Sequence, residues 1–195
     1  MRWSRLTGRR PRLRSGRDQV RVIAGSRRGA TLVAPRGAST RPTSDRVREA
    51  LFSILGDVDG LTVLDLFAGS GALAIEALSR GASSATLVDS SQAAIGVIRR
   101  NLSTLGLVAE VRRARALDYL GSARKAARQY DLVFLDPPYS QTSSLGPALS
   151  TAVAQVLAPG ARVVAESDRR APLELDLPVL DERRYGDTLI RIYGP

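Results

Sequence analysis

Two short stretches of the chain combine residue types and spacing that suit ligand binding and catalysis. The first covers residues 63–74, VLDLFAGSGALA, in which an apolar run leads through a glycine turn into a second apolar run. Gly69, Gly71 and Ala74 fit the fingerprint G-x-G-x-x-G/A, where a glycine turn joins a strand to a helix. Asp89 ends the next predicted strand, the usual place of an acid that binds ribose hydroxyls. This stretch predicts a nucleotide-like ligand.

Asp65 separates two classes of such ligand. A carboxylate aimed at the turn repels a pyrophosphate docked on the helix N-terminus, and it attracts a ligand that carries an ammonium and a sulfonium group. The loop therefore favours S-adenosylmethionine over NAD, although a glycine turn that merely closes a tight bend is the structural alternative. The predicted cofactor-binding residues of this region are Asp65, Phe67, Ala68, Gly69, Gly71, Asp89 and Ser90.

The second stretch, Asp136-Pro137-Pro138-Tyr139, directly follows the apolar run 132–135. The carboxyl end of a strand in a doubly wound sheet opens on the ligand crevice. Two prolines remove backbone donors and leave rigid carbonyl acceptors beside the Asp136 carboxylate, so this site suits an exocyclic amine with its two N–H donors. Tyr139 offers a flat face for a base taken out of its stack. We predict Asp136, Pro137 and Tyr139 as catalytic, although two prolines also occur in plain turns.

The composition restricts the chemistry further. The 195 residues contain no cysteine and no histidine, so thiolate metal sites and the commonest general base are excluded, and we expect no metal. The formal charge is +10, and residues 1–19 hold seven arginines against one aspartate. This favours a polyanionic partner. With no membrane span or secretory signal in the pattern, we expect a cytoplasmic protein.

The order of predicted elements indicates one α/β domain. Apolar runs 20–24 and 30–34 flank a glycine-bounded loop and predict a small basic hairpin. A helix is expected from residue 43, with Val47, Ala50, Leu51, Ile54 and Leu55 on its apolar face. Strands and helices then alternate, with a helix expected over residues 119–128 and a strand over residues 161–166 among them. This order predicts a doubly wound, mostly parallel Rossmann-like sheet. Residues 178–184 and 188–193 predict a terminal hairpin that brings in an antiparallel strand. The expected divisions are a disordered basic tail (1–19), the hairpin with a linker (20–42) and the enzymatic domain (43–195).

These residues together resemble class I methyltransferases of the RsmD type, which modify the N2 amine of a guanine in 16S ribosomal RNA. The resemblance runs from about Val20 to Pro195 and is most specific over residues 41–52, RPTSDRVREALF. The D-P-P-Y tetrapeptide is common to amino-group methylases of several bases. The first 19 residues lie outside the resemblance, and Tyr139 stands where many relatives have phenylalanine. The resemblance implies a seven-stranded sheet, S-adenosylmethionine as cofactor and ribosomal RNA as substrate.

Several further positions follow less directly from the sequence. Related enzymes place an acid near Asp118 against the adenine amine, but an aspartate there is equally suited to a helix start. Arg27 and the predicted RNA-binding residues Arg28, Arg41, Arg46 and Arg48 resemble an RNA-contact set, although the last two also fit the solvated side of an amphipathic helix. Asn101 is expected on a helix surface.

The function predicted from the sequence is methyl transfer from S-adenosylmethionine to a guanine N2 amine in small-subunit ribosomal RNA. We expect a monomer that does not bind membranes. Spacing alone leaves open an amino-methyltransferase that acts on adenine in RNA or DNA. A nicotinamide-dependent oxidoreductase is disfavoured by Asp65 and by the lack of histidine. A non-catalytic RNA-binding module would be expected to have a broken motif at 136–139, and here this motif is intact.

Overall fold

A computed structural model of the chain describes residues 20–35, 45–138 and 142–195. The elements in chain order are β1 (Val20–Arg21), β2 (Thr31–Leu32), α1 (Asp45–Leu55), β3 (Thr62–Leu66), α2 (Ala72–Ser79), β4 (Ser84–Asp89), α3 (Gln92–Leu105), β5 (Glu110–Arg113), α4 (Ala116–Lys125), β6 (Tyr130–Leu135), α5 (Thr142–Ala154), β7 (Leu157–Asp168), β8 (Val179–Tyr185) and β9 (Thr188–Tyr193). Tyr139, Arg41 and the tail lie outside the described residues.

Strands β3 to β9 form one seven-stranded sheet in the order β5-β4-β3-β6-β7-β9-β8. The pairs from β5 to β7 are parallel, and β9 is antiparallel to both of its neighbours. The predicted doubly wound sheet with a terminal hairpin is therefore confirmed. The chain runs outward from β3 to β5 and then returns to place β6 beside β3, so a crevice opens between the carboxyl ends of these two strands.

Alternate residues of each strand point to opposite faces of the sheet, and both faces are buried. Val63 and Phe134 belong to the cluster on the side of α1, α2, α3 and the small hairpin. Leu64 and Val133 belong to the cluster under α4 and α5. Since the central strands are covered on both faces, they read as near-continuous apolar runs.

The predicted N-terminal hairpin is confirmed, and it docks on α2. The buried carboxylate of Glu76 accepts the backbone N–H groups of Ile23 at 2.7 Å and Ala24 at 3.0 Å. Gly25 lies so close to α2 that a Cβ there would come 1.7 Å from the Ser79 carbonyl oxygen. The hairpin is thereby anchored to the helix that follows the glycine turn.

Two element boundaries differ from the predictions for local reasons. Helix α4 begins at Ala116 rather than Tyr119, because Arg115 is extended and occupies the N-cap position. Strand β7 extends well beyond the predicted 161–166. Its carboxyl end pairs with β9 through Asp168, and its start pairs with Tyr130 across an irregularity in the register. Partner strands therefore set the length of β7.

Candidate active site

The turn after β3 has a tight backbone shaped by positive φ angles. Phe67, Gly69 and Gly71 have φ of 67°, 56° and 79°. The N–H of Gly71 donates to the Ala68 carbonyl at 2.6 Å, and the N–H of Ala68 donates to Val88 in β4 at 3.0 Å. A positive φ at phenylalanine is costly and is typical of functional sites, where surrounding structure holds it in place.

Gly71 is required by packing as well as by its backbone angle. A Cβ at this position would lie 2.9 Å from Leu87 Cδ2 and 3.3 Å from Ile75 Cδ1. The glycine therefore lets α2 start close against the sheet, with its first backbone N–H groups facing the crevice.

Asp65 lies buried beneath the turn, near the end of β3. Its Oδ2 accepts the N–H of Ala74 at 3.2 Å. The pKa of the Asp65 carboxyl is raised to about 7, mainly by burial; the hydrogen bond from Ala74 lowers the pKa and the nearby charge of Asp89 raises it. A cation bound at the turn would be attracted to the ionised form and would favour it.

Asp89 ends β4 and supports the turn directly. One of its oxygens accepts the N–H of Gly69 at 2.9 Å, and the other accepts the N–H of Ser91 at 2.8 Å. Asp89 and Ser90 line a cleft of about 360 Å³, a size within the usual range for small-molecule sites. The lining of this cleft is Phe67, Val88, Asp89, Ser90, Ala114, Arg115, Ala116, Leu117 and Leu145.

Asp136 and Pro137 follow β6 on the other side of β3. The strand register places Asp136 beside Phe67 and beside Glu166 of β7, since Leu135 pairs with both Leu66 and Ala165. Burial, with the charges of Glu166 and Asp65, raises the pKa of the Asp136 carboxyl well above its ordinary value. The charges of Asp65 in β3 and Glu166 in β7 therefore both act on the Asp136 carboxyl, which follows β6. Glu166 was not singled out from the sequence, although an acid at the end of an apolar strand is a recognisable signal.

Asp118 is not brought to the cleft. It is exposed in the first turn of α4 and lines a separate hollow with Arg112 and Arg113. The part of α4 that reaches the cleft is its start, Arg115 to Leu117. The prediction of an adenine contact for Asp118 assumed that this residue precedes the helix. The helix begins two residues before it, at Ala116.

The predicted RNA-contact arginines fall into different environments. Arg28 and Arg46 are exposed, as an RNA contact requires. Arg27 is partly buried and donates its Nε–H to the Leu105 carbonyl at 2.6 Å, which ties the hairpin to α3. Arg41 lies outside the described residues.

The prediction for Arg48 is wrong, both as an RNA contact and as part of a solvated face. Its side chain is fully buried, donating to the Arg21 carbonyl and to Asp45 Oδ1 at 2.8 Å. Burial lowers the pKa of its guanidinium. The buried face of α1 is Arg48, Leu51, Phe52 and Leu55, so the helix is rotated from the predicted apolar face. Arg48 is held inside by the hairpin, whose Arg21 carbonyl accepts its bond, and it lies within range of the Glu76 charge on α2.

Asn101 is likewise buried rather than on a helix surface. Its Oδ1 accepts the N–H of Val33 at 2.9 Å, and its Nδ2 donates to the carbonyls of Val33 at 3.0 Å and Ser70 at 2.9 Å. Its spacing from Ile98 and Leu105, three and four residues away, is the sequence signal that could have placed it on the apolar face.

The described ranges hold no helix that is both long and apolar enough to cross a membrane. They also hold no group of three or more acidic side chains arranged to hold a metal ion.

The sheet order and the glycine turn after β3 are those of the class I methyltransferase fold. A family model described as "Conserved hypothetical protein 95" matches residues 20–194. The chain is 32% identical to "Ribosomal RNA small subunit methyltransferase D" of Haemophilus influenzae, over 92% of this chain and 95% of that protein. The chain belongs to this family, the RsmD family.

Two further relatives agree with this assignment. The protein of the same name from Escherichia coli K12 is 44% identical over 127 residues, which cover 64% of this chain and 63% of that protein. The solved structure of a hypothetical protein from Thermus thermophilus superposes with a TM-score of 0.78 at 30% identity, over 89% of this chain and 98% of that one.

Proposed function

We propose that the chain transfers a methyl group from S-adenosylmethionine to the exocyclic N2 amine of a guanine in small-subunit ribosomal RNA. The observation that carries the proposal is that β4, β3 and β6 are parallel neighbours in the sheet, so their carboxyl ends bring the glycine turn with Asp65 and Asp89 close to Asp136. The names of the family relatives support ribosomal RNA as the substrate.

The residues of the turn fit the cofactor. Asp65 matches the positive charge of an aminoacyl sulfonium ligand, and Asp89 has lone pairs left for ribose hydroxyls after accepting two backbone N–H groups. The apolar part of the cleft lining, including Leu117 and Leu145, suits the faces of a purine ring. When bound, S-adenosylmethionine supplies an electrophilic methyl group.

Asp136 and the Pro137 carbonyl accept the two N–H donors of the acceptor amine and orient its nitrogen. Accepting from both donors weakens the delocalisation of the nitrogen lone pair into the ring, which makes the amine more nucleophilic. Held in this way, the amine nitrogen would take the methyl group that the bound cofactor would supply, and its extra proton would leave to solvent. Most of the acceleration is positional. The ionised form of Asp136 is the stronger hydrogen-bond acceptor, and a neighbouring cation favours this form.

The proposal is tested by radiolabelled methyl transfer to small ribosomal subunits, and to naked ribosomal RNA, from a strain that lacks this modification. Nucleoside analysis should find the label in N2-methylguanosine. The matched control is Asp136→Ala, which should transfer almost nothing while still binding the cofactor. Label in an adenine nucleoside would replace guanine as the target, and no label in either RNA substrate would refute ribosomal RNA as the acceptor.

Ligand class is tested by calorimetry with the demethylated product, S-adenosylhomocysteine, and with NAD. Binding of the first without the second is expected. Asp89→Ala should weaken that binding by about 1.5 to 3 kcal/mol, the usual worth of hydrogen bonds to a charged acceptor. Tight NAD binding would favour an oxidoreductase instead.

A further inference from the structure

The two ends of the large sheet differ sharply in charge. Residues 92–128, which contain α3, β5 and α4, hold eight basic and two acidic residues. Residues 157–195, which contain β7, β8 and β9, hold six basic and seven acidic residues. The excess positive charge of the folded domain is therefore concentrated at the β5 edge.

Ion pairs increase the difference in unpaired positive charge between the two edges. On the β8 edge, Arg183 and Arg184 each lie 2.9 Å from an acid, Asp181 and Glu182 respectively. On the β5 edge, Glu110 is already engaged by Arg112 and Arg128, both at 2.6 Å. Among the residues that the structure describes, Arg113 and Arg115 have no acidic partner within 4.0 Å. Neither arginine therefore forms an ion pair.

Arg115 lies at the mouth of the cofactor cleft, and Arg113 lies beside it in the hollow that it lines with Asp118. Arg113 pairs with Asp89 in the strand register, and its Nε approaches the Ser90 carbonyl at 3.4 Å. Arg115 is exposed and lines the cleft. It occupies the N-cap of α4 without a capping bond, where the helix dipole disfavours a cation. The stability of α4 therefore gives no reason for an arginine at this position.

We propose that Arg113 and Arg115 form a phosphate-binding surface for the RNA strand that flanks the acceptor base. This inference rests on the proposed function. Three strand spacings, about 14 Å, separate β5 from β6, which carries Asp136, so this surface would hold backbone beyond the nucleotide at the acceptor site. Arginine suits the task because its planar guanidinium donates two parallel bonds to a phosphate. The exposed Arg99 and Arg100 of α3, which packs against β5, extend the same basic side of the molecule.

The test compares two double variants with the same loss of charge on opposite edges of one sheet. Arg113→Gln/Arg115→Gln removes the proposed surface, and Arg183→Gln/Arg184→Gln is the matched control. The affinity of each full-length protein for undermethylated small-subunit RNA is measured over a range of salt concentrations. The affinity for S-adenosylhomocysteine is measured by calorimetry.

We expect the Arg113/Arg115 variant to bind RNA at least about tenfold more weakly at low salt, with a log–log salt slope shallower by about 2, because each lost phosphate contact lowers the slope by about 1. The control should keep the wild-type slope. The control and Arg113→Gln alone, neither of which alters the lining of the cofactor cleft, should bind S-adenosylhomocysteine as the wild type does. Arg113→Lys/Arg115→Lys should restore most of the salt slope. If the double variant melts early, Arg113→Gln alone should lower the slope by about 1.

An unchanged slope, or an equal change in the control, would overturn the proposal. Weaker S-adenosylhomocysteine binding without a change in slope would assign the arginines to the cofactor instead. These results are separable from the fate of the proposed function, which depends on the methylated nucleoside that the wild-type protein makes. A wild-type protein that makes no methylguanosine while its salt slope depends on Arg113 and Arg115 would refute the reaction and keep the surface.

Discussion

Asn101 donates an N–H of its side-chain amide to the carbonyl oxygen of Ser70, at 2.9 Å. The same amide pairs with both backbone groups of Val33, so one buried side chain joins the glycine turn to the end of the hairpin. The element proposed to hold the cofactor and the element that carries exposed Arg28 are therefore linked through α3.

Asn101→Leu should weaken both elements, because it removes the hydrogen bonds to the backbone groups of Val33 and Ser70. Each lost hydrogen bond costs about 0.5 to 1.5 kcal/mol. We expect a lower melting temperature and a higher dissociation constant for S-adenosylhomocysteine. Ser103→Ala, at an exposed position of the same helix, is the control and should change neither. Unchanged cofactor affinity in a folded Asn101→Leu protein would show that the Ser70 bond does not position the turn.

Gly25 and Gly29 offer a matched pair in the hairpin, since their φ angles are +81° and +83°. An alanine at either position would adopt the left-handed backbone conformation, which lowers the stability by about 1 to 2 kcal/mol. Gly25→Ala also collides with the Ser79 backbone, whereas Gly29 has nothing within 4 Å of its built Cβ. Urea unfolding should therefore show a clearly larger loss of stability for Gly25→Ala. Equal losses would contradict the close docking of the hairpin on α2.

Asp65 should make stability fall as pH rises. Its carboxyl ionises near pH 4 when unfolded and near 7 when folded, so between these values the folded state binds the extra proton and becomes less stable with increasing pH. Asp65→Asn removes this effect. The stability of Asp65→Asn relative to wild type should rise from pH 4 to 7, by up to about 4 kcal/mol, and then level off. A difference that stays flat over this range in denaturant unfolding would show that the Asp65 pKa is not raised.

Asp136 should act through hydrogen bonding rather than as a base. Asp136→Asn keeps an acceptor oxygen and should retain measurable methyl transfer, whereas Asp136→Ala should lose nearly all of it. Because the pKa of Asp136 is raised, wild-type kcat should increase with pH as the carboxyl ionises, and this limb should disappear in Asp136→Asn. If Asn is as inactive as Ala while both variants bind cofactor and RNA, Asp136 must transfer the proton.

Deletion of residues 1–19 should leave the melting temperature and cofactor affinity unchanged, because this segment has too few apolar residues to join a core. RNA affinity should fall, with a shallower dependence on salt. A large drop in melting temperature would instead make the segment part of the folded domain.

The sequence by itself determined the features that depend on neighbouring residues. The alternation of strands and helices follows from local hydrophobic periods, and the turn at Gly69 and Gly71 follows from residue types that tolerate positive φ. Asp65, Asp89 and Asp136 could be placed at one crevice because parallel strands end at the same edge of a sheet. The family resemblance was carried by these same short segments.

Tertiary structure decided the roles of polar residues on amphipathic helices. Arg48 and Asn101 both lie at spacings that fit an apolar face, but their burial depends on hydrogen-bond partners elsewhere in the chain: Arg21 lies 27 residues away from Arg48, and Val33 lies 68 residues away from Asn101. Periodicity reports which positions can face a core, whereas the distant backbone that packs there decides whether a polar side chain can be satisfied inside it. The start of α4 was predicted too late for a related reason. The extended backbone of Arg115 decides where that helix begins, and the helix propensity of the following residues does not.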